Sequence, residues 1–110
     1  MPVRSEERRV EELLDALRYI VTDASVALRC LVYMAEPDVA LELEAIRFVE
    51  RLLSSAVDRL LGGAGISASY AVERGGNYEF SLHVVIDGVR YRVDGGDAGH
   101  WSWGSWSIED

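Results

Sequence analysis

The chain has 110 residues, of which 49% are apolar and 27% charged, a composition typical of one globular domain. Its 19 acidic residues outnumber its 11 basic ones, and a net charge of −8 argues against nucleic acid as a partner, because phosphates require clustered cations. We expect a cytoplasmic protein, because the chain lacks a signal peptide and any run of roughly 18 apolar residues, and its single cysteine suits a reducing compartment.

Two long helices are predicted over about 5–35 and 38–61, because apolar residues recur there at helical spacing. Pro37 and Asp38 separate the two helices. The residues expected to face the core are Val10, Leu13, Leu14, Leu17, Ile20, Ala24, Leu28, Leu31 and Ala35 on the first helix, and Val39, Leu43, Ile46, Val49, Leu53, Ala56, Val57 and Leu60 on the second.

The ends of these helices carry capping residues. Ser5 is suited to the N-cap of the first helix, and the pair Gly62-Gly63 is expected at the C-terminal end of the second. Thr22-Asp23 could break the first helix, although the apolar pattern continues beyond it, so a break and a continuous helix both remain open.

Both helices also carry a second set of apolar residues, which requires a second covering surface. The predicted first helix would be about 46 Å long. A compact domain of this size has a radius of gyration near 13 Å, so the helix would extend beyond the sheet that it covers. We therefore expect a symmetric homodimer through the helices. The second sets are Tyr19, Val26, Cys30 and Tyr33 on the first helix, and Leu41, Ala45, Phe48 and Leu52 on the second.

From Ile66 onward the apolar period becomes two, which predicts strands. Asp87-Gly88 is a two-residue hairpin signal that sets Val84 opposite Tyr91. The fold class is therefore α+β: two long N-terminal helices packed on one face of a four-stranded antiparallel meander, in a single domain spanning 1–110. The strands are expected at about 66–74, 78–87, 89–94 and 101–109.

Two details of the sheet depend on side-chain parity. A three-residue loop, Gly75–Asn77, sets Val72 against Phe80, whereas a two-residue loop would mix the two faces. In the last strand, regular alternation would point Trp101 and Trp103 to one face of the sheet, and Trp106 and Ile108 to the other. A bulge at Gly104-Ser105 would restore one face, and without it the sheet exposes large aromatic side chains.

Two places could carry chemistry. His83 is expected on the uncovered face of the sheet, opposite Arg92 and near Glu79 or Ser81, as a base, a pH-sensitive contact or an ordinary polar residue. In the segment 94–100, Asp94, Asp97 and His100 could converge on a cation, but glycine and aspartate also form turns, and we favour a turn. With no lysine and no nucleophile beside His83, we expect no catalytic residues, no metal and no cofactor.

The function that these features favour is a non-catalytic, intracellular protein-binding module, a small acidic inhibitor of the phage anti-defence or immunity type, or an adaptor. Tryptophan and arginine are enriched where proteins bind each other. An alternative is a carrier or enzyme with an apolar pocket lined by Tyr70, Phe80, Tyr91 and a tryptophan. A designed scaffold is a further alternative. The predicted partner-binding residues are Trp101, Trp103, Trp106, His83, Arg90 and Arg92, and those predicted for self-association are Tyr19, Val26, Cys30, Tyr33 and Phe48.

Overall fold

The computed structural model describes residues 2–109 and the side chains of residues 7–109. Two helices pack against a four-stranded antiparallel sheet in the order β1-β2-β3-β4, which confirms the predicted α+β class and meander. Within the described part of the chain, neither helix holds an apolar stretch of the length that crossing a bilayer requires. The elements are α1 (Pro2–Ala35), α2 (Val39–Ala64), β1 (Ala68–Arg74), β2 (Glu79–Ile86), β3 (Val89–Asp97) and β4 (Ser102–Ile108).

Helix α1 is continuous over 34 residues, so the chain does not break at Thr22-Asp23. The Thr22 hydroxyl lies 2.8 Å from the Arg18 carbonyl oxygen, one turn back, and Ser25 donates to Val21 in the same way. The Thr22 hydroxyl also lies 3.0 Å from the Trp103 carbonyl oxygen of β4, so neither hydroxyl caps a new helix. The helix begins at Pro2, so the prediction that Ser5 is its N-cap was wrong.

Helix α2 begins after Asp38, whose backbone is extended and whose side-chain Oδ1 accepts a hydrogen bond from the Leu41 N–H at 3.2 Å. Its predicted end at Gly62-Gly63 was wrong, because both glycines are helical and the cap is Gly65, with φ 65°. The Gly65 N–H bonds to the Gly62 carbonyl. The chain stays helical through the first two glycines, and only Gly65 adopts the left-handed conformation that ends the helix.

The core lies between α1 and the sheet, with α2 completing it at the side. Helix α1 contacts β2, β3 and β4, whereas α2 contacts α1 and β1. The fully or nearly buried apolar residues are Leu13, Leu14, Leu17, Val21 and Leu28 of α1, Val49, Leu53, Val57 and Leu61 of α2, and Phe80, Leu82, Val84, Ile86 and Val93 of the sheet.

The two hairpins keep the predicted faces, with one correction of register. At Asp87-Gly88 both residues have positive φ, 50° and 78°, and Val84 pairs with Tyr91 as predicted. The first hairpin also has a three-residue loop, but it spans 76–78, and Val72 pairs with Leu82 instead of Phe80. The loop moved because Asn77, with φ 54°, occupies its centre. Because both strands shift by one residue, each side chain stays on the face of the sheet that was predicted for it.

Strands β3 and β4 correct two further expectations. The segment 94–97 is strand and not turn, and the chain reverses later, where the Ala98 N–H bonds to the Trp101 carbonyl. The two strands pair without interruption from Tyr91 opposite Ile108 to Asp97 opposite Ser102, so the bulge at Gly104-Ser105 does not exist. The tryptophans of β4 therefore lie on opposite faces of the sheet.

Glycines allow α1 to approach β3 and β4 closely. A Cβ at Gly95 would lie 2.9 Å from the Thr22 backbone nitrogen and 2.9 Å from Val21 Cγ1. A Cβ at Gly104 would meet Thr22 Oγ1 and Arg18. Both glycines belong to regular strands and leave room for a helix, whereas the sequence predicted a turn at Gly95 and a bulge at Gly104.

Candidate functional site

Within residues 2–109, neither helix covers one face of the sheet, and we call it the open face. It consists of the side chains that alternate with the buried ones on each strand. Its middle and β4 side hold four of the six predicted partner-binding residues, His83, Arg90, Arg92 and Trp103. The open face comprises Ser69, Ala71 and Glu73; Glu79, Ser81, His83 and Val85; Arg90, Arg92, Asp94 and Gly96; and Trp103, Ser105 and Ser107.

His83 lies at the centre of the open face between two carboxylates. Its Nδ1 is 2.8 Å from Glu109 Oε2, and its Nε2 is 3.0 Å from Glu73 Oε2. Both nitrogens can donate only when the ring is protonated, so the hydrogen bonds to Glu109 and then Glu73 raise the pKa of His83 above its ordinary value. The ring thus links β2 to β1 on one side and to the residue after β4 on the other.

His83 faces Arg92 across the β2–β3 pair as predicted, but its expected neighbours Glu79 and Ser81 are not its partners. Glu73 reaches it diagonally from β1, where the alternation of side chains places that carboxylate on the same face. Glu109 could not be found from the sequence, because its position depends on the unbulged register of β4.

A second polar cluster lies beside the histidine. Asp94 Oδ1 accepts hydrogen bonds from Ser81 Oγ at 2.6 Å and from Arg92 Nε at 2.9 Å. Arg92 keeps half of its side chain exposed, so its guanidinium can still donate to another molecule. Asp94 is thus tied to its own sheet and does not converge with Asp97 and His100.

The three tryptophans have three different environments. The Trp103 indole lies on the open face against Gly96, where a Cβ would come within 2.8 Å of the ring. Trp101 is 53% exposed at the β3–β4 turn, its ring centroid 6.4 Å from that of His100. Trp106 lies on the helix side, donates its indole N–H to Asp15 at 2.9 Å, and so does not join the open face.

The residues predicted for self-association lie on both helices. Tyr33 is 51% exposed, and its ring centroid lies 6.1 Å from that of Tyr78 and 4.6 Å from the Arg29 guanidinium carbon. Tyr19 and Cys30 are exposed on α1 and Val26 is partly buried there. Phe48 belongs to α2, where it lines a groove of about 610 Å³ between α1 and α2.

The four aromatic side chains proposed to line an apolar pocket lie in three different places. Phe80 is completely buried in the core. The Tyr70 hydroxyl lies 2.5 Å from Asp58 Oδ1, at the junction with α2. Tyr91 and Trp106 line a shallow groove of about 400 Å³ beside the N-terminal part of α1.

The segment 94–100 carries no metal-ligand geometry. Asp97 Oδ1 accepts the Gly99 N–H at 2.8 Å, which is a turn contact. Over residues 7–109, no three side chains of histidine, cysteine, aspartate or glutamate are grouped so that they could hold a metal ion. Compared with known proteins, the chain matches no family model, no curated protein and no solved structure.

Proposed function

We propose that this protein is a non-catalytic, cytoplasmic protein-binding module, of the small acidic inhibitor or adaptor type, and that its partner binds the open face of the sheet. The observation that carries the proposal is the collection of Trp103, Arg90, Arg92 and His83 on the one sheet face that neither helix covers. The single cysteine supports the cytoplasmic location.

The chemistry of this face suits a protein partner. Trp103 offers a large ring, partly buried on Gly96, that loses little conformational freedom when a partner packs on it. Arg90 and Arg92 lie on the same face of β3, about 20 and 13 Å along the strand from Gly96, the residue that faces Trp103. Both can pair with carboxylates of the partner. Aromatic and arginine side chains at the middle of an interface contribute most of its binding energy.

The same face is poorly suited to a small substrate. His83 has both ring nitrogens engaged by carboxylates, and Asp94 is engaged by Ser81 and Arg92. A general base requires a free nitrogen within hydrogen-bond reach of a reacting group. These contacts support a rigid binding surface with fixed charges.

Site-specific photo-crosslinking in the source cells tests the proposal. A photoreactive amino acid replaces Ser105, an exposed residue of the open face, and in a matched strain it replaces Glu12, an exposed residue of α1. We expect a discrete crosslinked protein from position 105, lost when Trp103 is changed to alanine in the same chain. Crosslinks that form only from position 12, or that persist in the Trp103→Ala chain, would contradict the proposal.

A further inference from the structure

The side of α2 that borders its groove with α1 carries an apolar stripe that the side chains of residues 7–109 leave largely uncovered. We call Leu41, Ala45, Phe48 and Leu52 the α2 stripe. Leu41, Phe48 and Leu52 are 49%, 48% and 50% exposed, although each is a large apolar residue. The spacing of four, three and four residues is the seam of a coiled coil, which packs against another helix. Leu31 and Met34 of α1 line the same groove and extend it.

We propose that a second copy of this chain covers the α2 stripe, with the two α2 helices antiparallel around a two-fold axis. In this register Leu41 of one copy faces Leu52 of the other, and Ala45 faces Phe48, because each pair is symmetric about the midpoint of the stripe. Phe48, the largest side chain of the stripe, then lies opposite Ala45, the smallest, so the two helices can pack without steric overlap or a cavity. The inference is independent of the open face.

Charges beside the stripe favour the same arrangement. Glu44 and Arg51 flank one side of it, at the heptad position that pairs with its equivalent in an antiparallel coiled coil. Seven residues apart, they are separated by about 10.5 Å along their own helix and do not pair within it. Across the two-fold axis Glu44 meets Arg51 of the second copy, twice per dimer.

A parallel pair of α2 helices lacks these matches. It would place Phe48 against Phe48 and Ala45 against Ala45. The phenylalanine pair would be too large for its layer, and the alanine pair would leave a gap in the next. The parallel arrangement would also set Glu44 beside Val49 of the other copy, which leaves both charges without partners. The antiparallel arrangement is therefore the one that we test.

Sedimentation velocity on the full chain, at a series of concentrations, measures the dimer directly. We expect Glu44→Arg and Arg51→Glu each to raise the dimer dissociation constant about tenfold, since each replaces two attractions with two repulsions. The double variant E44R/R51E restores attraction with the signs exchanged, so its dissociation constant should return to within about threefold of the unmodified value. A monomeric unmodified protein at high micromolar concentration, or a double variant no better than the single ones, overturns the proposal.

A second pair of variants tests the surface independently of the charges. Phe48→Glu places a charge in the middle of the stripe of both copies and should weaken the dimer at least a hundredfold. Leu43→Glu is the matched control, because Leu43 is an exposed apolar residue of α2 outside the groove and its change adds the same charge. Circular dichroism verifies that both variants fold. A dimer lost in the Leu43 variant and kept in the Phe48 variant would refute the proposed surface.

Discussion

At the scale of single residues, His83 makes the stability of the fold depend on pH. Its pKa is raised in the folded chain by Glu109 and Glu73, so its contribution is fully present below the unfolded pKa of about 6.5. The contribution is lost as the pH rises through the higher folded value, because the neutral ring can donate from only one nitrogen.

The variant His83→Gln tests this link. We expect it to melt several degrees below the unmodified protein near pH 6, where it loses charge-assisted contacts worth on the order of 1 kcal/mol. The difference should shrink above the folded pKa, where the unmodified histidine is itself neutral. Differential scanning calorimetry from pH 5 to pH 9 measures it, and a gap that stays constant or widens with pH would contradict the assignment.

At Gly95 the absence of a side chain allows α1 to lie close to β3. Gly95→Ala should destabilise the fold by about 1–3 kcal/mol, because the added methyl group meets the backbone of α1 at Thr22. Gly62→Ala is the matched control: its Cβ would meet nothing within 4 Å, and alanine in a helix should stabilise the fold by about 0.5–1 kcal/mol. Urea denaturation shows whether each substitution raises or lowers the free energy of unfolding. A Gly95 variant as stable as the unmodified protein would disprove the close approach of α1 to β3.

At the scale of elements, periodicity predicted more than end signals did. The alternation of Leu82, Val84 and Ile86 requires one buried face, so it identified the faces of the sheet whatever the turn register. The predicted helical stripe likewise continues from Leu17 to Leu28, both buried, in agreement with a continuous α1, although that stripe did not include the buried Val21.

The residues expected to end helices and strands were less reliable, because a glycine or a hydroxyl side chain occurs at such ends and also inside regular elements. Gly95 and Gly96 looked like a turn, yet they accommodate a helix on one side and the Trp103 ring on the other. Which purpose applies depends on what packs there, and that depends on the register of β4. The sequence therefore located His83, Arg90 and Arg92 on the candidate site, but it could not separate Trp103 from Trp106.

The start of α2 is a local signal that did hold, and it can be tested alone. Asp38 accepts the Leu41 N–H, so Asp38→Ala should cost about 1 kcal/mol, whereas Asp38→Asn, which retains an acceptor, should cost much less. Melting temperatures of the two variants provide the comparison. Equal losses in both would indicate that the carboxylate charge matters and that the capping bond does not.

At the scale of the whole molecule, the two proposed surfaces lie on opposite sides. The molecule measures 54 × 25 × 22 Å, with the helices forming one layer and the sheet the other. The α2 stripe lies more than about 100° around the helix from Ser54, whose carbonyl accepts from Tyr70 of β1. A dimer through α2 would therefore leave both open faces accessible and allow two partners to bind at once.

The central claim is that a protein partner binds the open face, and isothermal titration calorimetry with the partner identified by crosslinking tests it most directly. We expect Trp103→Ala to raise the dissociation constant at least about thirtyfold, the effect of losing 2 kcal/mol at an interface hot spot. The control Tyr19→Ala removes an exposed aromatic side chain from α1 and should leave the affinity unchanged. An unchanged affinity for a folded Trp103 variant, or an equal loss in the control, would contradict the claim.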